Sequence, residues 1–173
     1  MFRRTFRPTF RRIVIGGVAA AIAVGQLVAP STAGAAPSKS RDFMLTASGR
    51  LVLGGPLVVR FDGSGSSNLL GAVQNSGAAA ITGVSISPCI GGLVNTNVET
   101  YTTSSGDTLT LTSQDVACPV GLLALHGTGR WTVTGATGSL VGVTGSGTIE
   151  GGGSFLASTF FFTVEGTLVF PTA

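Results

Sequence analysis

VNTNVETYTTSSGDTLTLTSQDV, residues 94–116, is the stretch that decides the fold. Within it Thr108-Leu109-Thr110-Leu111-Thr112 alternates polar and apolar residues at period two, the spacing at which a strand sends successive side chains to opposite faces. Ser104-Ser105-Gly106-Asp107 interrupts the alternation with turn formers, so a hairpin is predicted between Val94–Thr103 and Thr108–Val116. The same signature continues outward. Trp131-Thr132-Val133-Thr134 alternates, setting Trp131 and Val133 on one face and Arg130, Thr132 and Thr134 on the other. Phe160–Glu165 sets Phe160, Phe162 and Val164 on one face and leaves Phe161 on the opposite one. Phe43–Ala47, Arg50–Leu53, Leu57–Phe61, Ala78–Ser87 and Gly145–Gly151 are further predicted strands. Gly135–Gly138 and Gly151-Gly152-Gly153 read as breaks, and Asp62–Asn68 (DGSGSSN) as an exposed loop. No helical periodicity runs for any length. Many short strands at regular spacing mean a sandwich or a barrel. The 27 glycines favour the barrel, whose coiled strands need bends that glycine permits. The expectation is an all-β fold: a closed or nearly closed antiparallel β-barrel of about eight strands, with a β-sandwich as the alternative.

A chain of 173 residues predicts one domain, and 10% charged residues with positive mean hydropathy exclude a disordered chain. The formal charge of +3 is misleading, because Arg3, Arg4, Arg7, Arg11 and Arg12 supply half of the basic residues. That arginine-rich start precedes an apolar run, Ile13–Ala29, and then PSTAGAAPS with Ala33 and Ala35 in an A-x-A pattern. This is the layout of a signal peptide cleaved between Ala35 and Ala36. The competing reading is a membrane span, for which the run is short against the roughly 20 apolar residues required. Arg3-Arg4-Thr5-Phe6 has a twin-arginine flavour, but Phe stands before each Arg pair, which favours the general secretory route. The expected organisation is residues 1–35 as signal peptide, 36–41 as flexible leader and 42–173 as a single barrel domain. After cleavage five basic residues remain against seven acids, a net charge of −2. No cluster of Lys and Arg remains to neutralise phosphates, so nucleic acid is excluded as a partner. No membrane association is expected after cleavage, and nothing in the sequence sets an oligomeric state.

Cys89 and Cys118 are the only cysteines. In an exported chain an even count favours a disulfide, and two cysteines allow one connectivity. A pair of metal-binding thiols is the weaker alternative, since neither a C-x-x-C spacing nor a neighbouring His accompanies them.

SSGDTLTLT (Ser104–Thr112), GTGRWTVTGATGSLVGVTGSGT (Gly127–Thr148) and FFFTVEGTL (Phe160–Leu168) follow one another in an order that resembles a type of small secreted bacterial protein. The stretch looks like the C-terminal half of proteins with the allene oxide cyclase-like, dirigent-like β-barrel. It covers under half of the chain and departs at Ser139-Leu140, where the commoner pattern has Arg-Phe. The resemblance implies an eight-stranded antiparallel barrel with an apolar interior, either packed solid or holding one small ligand. Enzymes of that kind act mainly by shaping a reactive substrate in the interior. None of their catalytic groups carries over residue by residue to this sequence.

The residues themselves offer little chemistry. His126 is the only histidine and no Ser stands in a G-x-S-x-G setting, so it reads as a strand-end residue and not as part of a triad. No calcium loop, H-E-x-x-H, G-x-G-x-x-G or P-loop occurs, and neither metal nor cofactor is expected. Asp62 and Asp107 sit in turn sequences. Glu150 and Glu165 lie in predicted strands, facing either solvent or a pocket. The aromatic residues of the last third, beside Arg130 and Glu165, either form the core or line an apolar cavity with polar anchors. The candidate ligand-binding residues are therefore Tyr101, Arg130, Trp131, Glu150, Phe160, Phe162 and Glu165. Three functions fit: a barrel binding a small apolar molecule, a cofactor-independent enzyme of the cyclase or dirigent kind, and an extracellular structural or inhibitory module binding protein or polysaccharide. Binding ranks first.

Overall fold

The computed structural model describes residues 38–172. The expected export signal, its cleavage point at Ala35–Ala36 and the first two leader residues lie outside them. Eight strands follow in chain order: β1 (Ser38–Gly55), β2 (Val58–Ser67), β3 (Gly71–Ser85), β4 (Gly92–Thr103), β5 (Thr108–Gly121), β6 (Ala124–Ala136), β7 (Thr144–Ser154) and β8 (Thr159–Pro171). Each pairs antiparallel with its neighbour, and β1 pairs with β8 to close the ring. Closure is uneven. β1 pairs with β8 along Ser38–Arg50 but with β2 only along Leu45–Gly55, so its first half runs beyond β2.

Alternation explains which face each strand buries. Phe43, Leu45 and Ala47 of β1, Leu109 and Leu111 of β5, Trp131 of β6 and Phe160, Phe162 and Val164 of β8 all point inward and are buried. Arg130, Thr132 and Thr134 point out, as the period-two reading requires. Four register shifts bend the wall: between Leu53 and Gly55 of β1, between Ile81 and Gly83 of β3, and in β5 between Pro119 and Gly121 and where Thr110 faces Gly135 but Leu111 faces Val133 of β6. Such bulges increase local twist, which a small barrel needs to close.

Several strands run further than their sequence suggests. Ser38–Arg41, read as leader, pairs with Leu168–Pro171 of β8. Phe43–Ala47 and Arg50–Leu53 are one strand, continuous through Ser48-Gly49. Asp62–Ser67, read as a loop, is the second half of β2 and pairs with β3. Gly151-Gly152-Gly153, read as a break, pairs with Phe160–Phe162 of β8. The reason is common to these cases: polar and glycine-rich stretches lack intrinsic strand preference, yet backbone pairing holds them in the sheet, on one side at Ser38–Arg41 and on both sides in the others. The Ser104–Asp107 turn is as expected, with Gly106 at φ +86° and its N–H donating to the Thr103 carbonyl at 3.0 Å.

The two ends of the barrel differ. At the end formed by the β2–β3, β4–β5 and β6–β7 connections, Leu140 and Val143 close the interior over Phe43, Leu109, Trp131 and Leu168. Trp131 is the keystone of this half. Its Nε1 donates to the carbonyls of Thr148 and Glu165, each at 3.0 Å, and its ring meets Phe43 edge-on at 5.7 Å. A Cβ at Gly166 would stand 2.8 Å from the indole, so only glycine lets β8 approach so closely.

Candidate ligand cavity

The other half of the interior is not filled. A cavity of about 150 Å³ lies toward the end formed by the β1–β2, β3–β4, β5–β6 and β7–β8 connections. One wall is aromatic: Phe160 and Phe162 stack at 5.1 Å, and Phe61 of β2 packs on them at 5.4 and 6.1 Å. Gly151 and Gly153 of β7 line the same space, and a Cβ would stand 2.5 Å from Phe162 Cβ at Gly151 and 2.7 Å from Leu51 Cδ2 at Gly153, so glycine lets Phe162 and Leu51 close onto β7.

The facing wall is polar and comes from β4 and β5. Asn95, Asn97, Glu99 and Tyr101 occupy alternate positions of β4 and all four are buried. The Tyr101 hydroxyl donates to Glu99 Oε2. Asn97 Nδ2 donates to Asp115 Oδ1 at 2.7 Å and to Ser113 Oγ at 3.0 Å, and Asn95 Nδ2 donates to Asp115 Oδ2 at 3.3 Å. Burial pushes the Glu99 carboxyl up to about 7, against the opposing effect of the Tyr101 hydrogen bond and with a smaller push from Asp115. Burial also raises Asp115, opposed by the Asn97 and Asn95 amides. Asn75 of β3, opposite Tyr101, is buried with neither carboxamide atom partnered.

The structure divides the residues singled out in the sequence. Phe160 and Phe162 line the cavity, and Tyr101 supports it through Glu99. Trp131 is core, meeting Phe43 and Gly166 and lying outside the cavity lining. Arg130, Glu150 and Glu165 face solvent on the outer wall and do not line the cavity, because each falls on the opposite parity to the inward residues of its strand. His126 is likewise on the outer wall, 3.4 Å from Glu150. Sequence reasoning missed the polar wall, Asn95, Asn97, Glu99 and Asp115, and also Phe61. Glu99 and Asn97 share the parity of Tyr101, and that signal was present. It was masked because the outward face of the same strand carries Val98 and threonines, so neither face of β4 reads as the apolar one.

Cys89 and Cys118 form a disulfide with Cα atoms 5.9 Å apart, tying the β3–β4 connection to β5 at the rim of the cavity. Such a bond suggests an oxidising environment. Among the described residues no helix is long and apolar enough to cross a membrane, and no group of three or more His, Cys, Asp or Glu is placed to hold a metal. No family model matches the chain, and no curated protein matches it in sequence.

Proposed function

We propose that this protein is an exported barrel that binds a small, largely apolar molecule in its interior. The observation that carries the reading is the cavity of about 150 Å³ between the aromatic and polar walls, in a domain too small to leave such space idle in a well-packed core. The arginine-rich apolar N-terminus with Ala33 and Ala35, together with the Cys89–Cys118 bond, supports export through a secretory route. The likeness of Ser104–Leu168 to allene oxide cyclase-like and dirigent-like barrels supports the same use of the interior.

One observation favours a second reading, a cofactor-independent enzyme. Glu99 sits at the cavity with its carboxyl near 7, where it can hold or release a proton at neutral pH. The two readings share a first test. Single-ring apolar compounds should raise the melting temperature of the protein. That rise should vanish in Ala79→Leu, which places a larger side chain in the cavity. A panel with no stabilising member sinks both readings. Turnover of a bound compound, lost in Glu99→Gln, would select the second.

A further inference from the structure

The amides and the phenol of β4 have no hydrogen-bond donor left to offer the cavity, and the unpartnered Asn75 of β3 lies outside its lining. A carboxamide has two N–H hydrogens and a phenol one O–H. Asn97 directs its pair to Ser113 Oγ and Asp115 Oδ1, and Asn95 directs its pair to Asp115 Oδ2 and the Leu93 carbonyl. The Tyr101 hydroxyl is committed to Glu99. What these side chains leave toward the cavity are acceptors: the carboxamide oxygens of Asn95 and Asn97 and the second oxygen of Glu99. Among the described residues none donates to these three atoms. Two carboxyl groups, Glu99 and Asp115, line the space, and no Lys, Arg or His does. Phe61, Phe160 and Phe162 stand across from them.

We propose that the ligand is a small organic amine. Its ammonium group donates to Glu99 and to the oxygens of Asn97 and Asn95, while its apolar body lies against Phe61, Phe160 and Phe162. The inference rests on the cavity reading above and narrows it to a chemical class. An ammonium brings three donors and a positive charge to a wall that has acceptors and carboxyls only. It also sits favourably near aromatic rings. A neutral hydrocarbon would leave the buried acceptors without partners, which costs about 1–3 kcal/mol for each group wholly removed from water. An anionic ligand would meet Glu99 and Asp115 with like charge. Size narrows the class further, since a cavity of this volume takes a benzene-sized body and not a sterol or a long chain. Glu99 and Asp115 are the titratable groups of the lining, and Tyr101 is the third group facing Glu99.

Three probes of similar size separate the possibilities by isothermal calorimetry near pH 8: 2-phenylethylamine, propylbenzene and 3-phenylpropionate. The amine is expected to bind about tenfold or more tighter than propylbenzene. The carboxylate is expected to give no heat. Glu99→Gln should weaken the amine by about the same factor and so remove its advantage over propylbenzene. The ranking of probes on the unaltered protein stands even if that variant does not fold. Propylbenzene binding as tightly as the amine, or 3-phenylpropionate binding better, overturns the amine class and leaves the cavity reading intact. Failure of all three probes overturns both.

Discussion

A single carboxyl makes stability depend on pH. Glu99 keeps its proton in the folded protein up to about 7, whereas an unfolded glutamate loses it near 4.5. Between those values the unfolded chain gains more from ionising, so stability falls as pH rises through the window and levels off above it. The drop from Glu99 alone should be about 3 kcal/mol, and Asp115, also raised by burial, acts in the same direction. Urea unfolding at pH 5 and pH 8 measures the difference. In Glu99→Gln the dependence should flatten, with most of the loss at pH 8 recovered. An unchanged slope in that variant would mean that Glu99 ionises freely and is not enclosed. Trp131 gives the complementary case at the same scale. It is 1% exposed and holds two carbonyls across the β7–β8 seam, so Trp131→Ala should cost about 3–5 kcal/mol. Because Trp131 lies outside the cavity lining, its fluorescence should be blue-shifted, as for a buried indole, and change little when a probe occupies the cavity. A large response to ligand would place the ligand deeper than the site described here.

Strands were legible where side chains alternate and illegible where they do not. The β4–β5 hairpin, the inward Trp131 and the inward Phe160 and Phe162 follow from period two alone. Gly151–Gly153 and Asp62–Ser67 carry no alternation, and their strand character comes from partners distant in sequence. The candidate site divides the same way. Its aromatic wall was readable because β8 is apolar on one parity, whereas its polar wall was not, because both faces of β4 are mixed and only closure of the ring decides which is inside. Arg130, Glu150 and Glu165 were drawn into the site by proximity in sequence to aromatics, and parity places them outside. The Cys89–Cys118 pair was readable from count and compartment. It closes a span of 29 residues, for which the chain-entropy model gives about 3.5 kcal/mol. Denaturation with and without reductant should differ by about that amount, in favour of the oxidised form. A difference near zero would show that the β3–β4 connection is already fixed to β5 by its other contacts.

At the scale of the whole molecule the surface is polarised. Among the described residues six exposed large hydrophobic side chains, Leu57, Ile86, Ile90, Leu122, Leu123 and Leu156, lie on the four connections around the cavity, and Leu53, Val84 and Val120 lie at the strand ends beside them. Those connections contain no charged residue, whereas Asp107, hydrogen-bonded to Ser139 and Ser105, lies at the opposite end. Exposed apolar side chains gathered at one end of a small domain point to a place of contact, and here they lie around the space in which the ligand is proposed to sit. Because such side chains are already in water, replacing them alters stability by roughly 0.5 kcal/mol or less each. The triple variant Leu57→Ser, Ile90→Ser, Leu122→Ser should therefore melt close to the parent protein. It should nevertheless bind distinctly less of an apolar fluorescent dye such as anilinonaphthalene sulfonate. Placing the same three changes away from these connections, at Met44, Val98 and Val141, controls for total apolar area, since these are also exposed and lie outside the cavity lining. If the two triple variants lose dye binding equally, the rim has no special role and its hydrophobicity is merely scattered surface. If only the rim variant loses it, the four connections act together as one apolar surface at the entrance to the barrel.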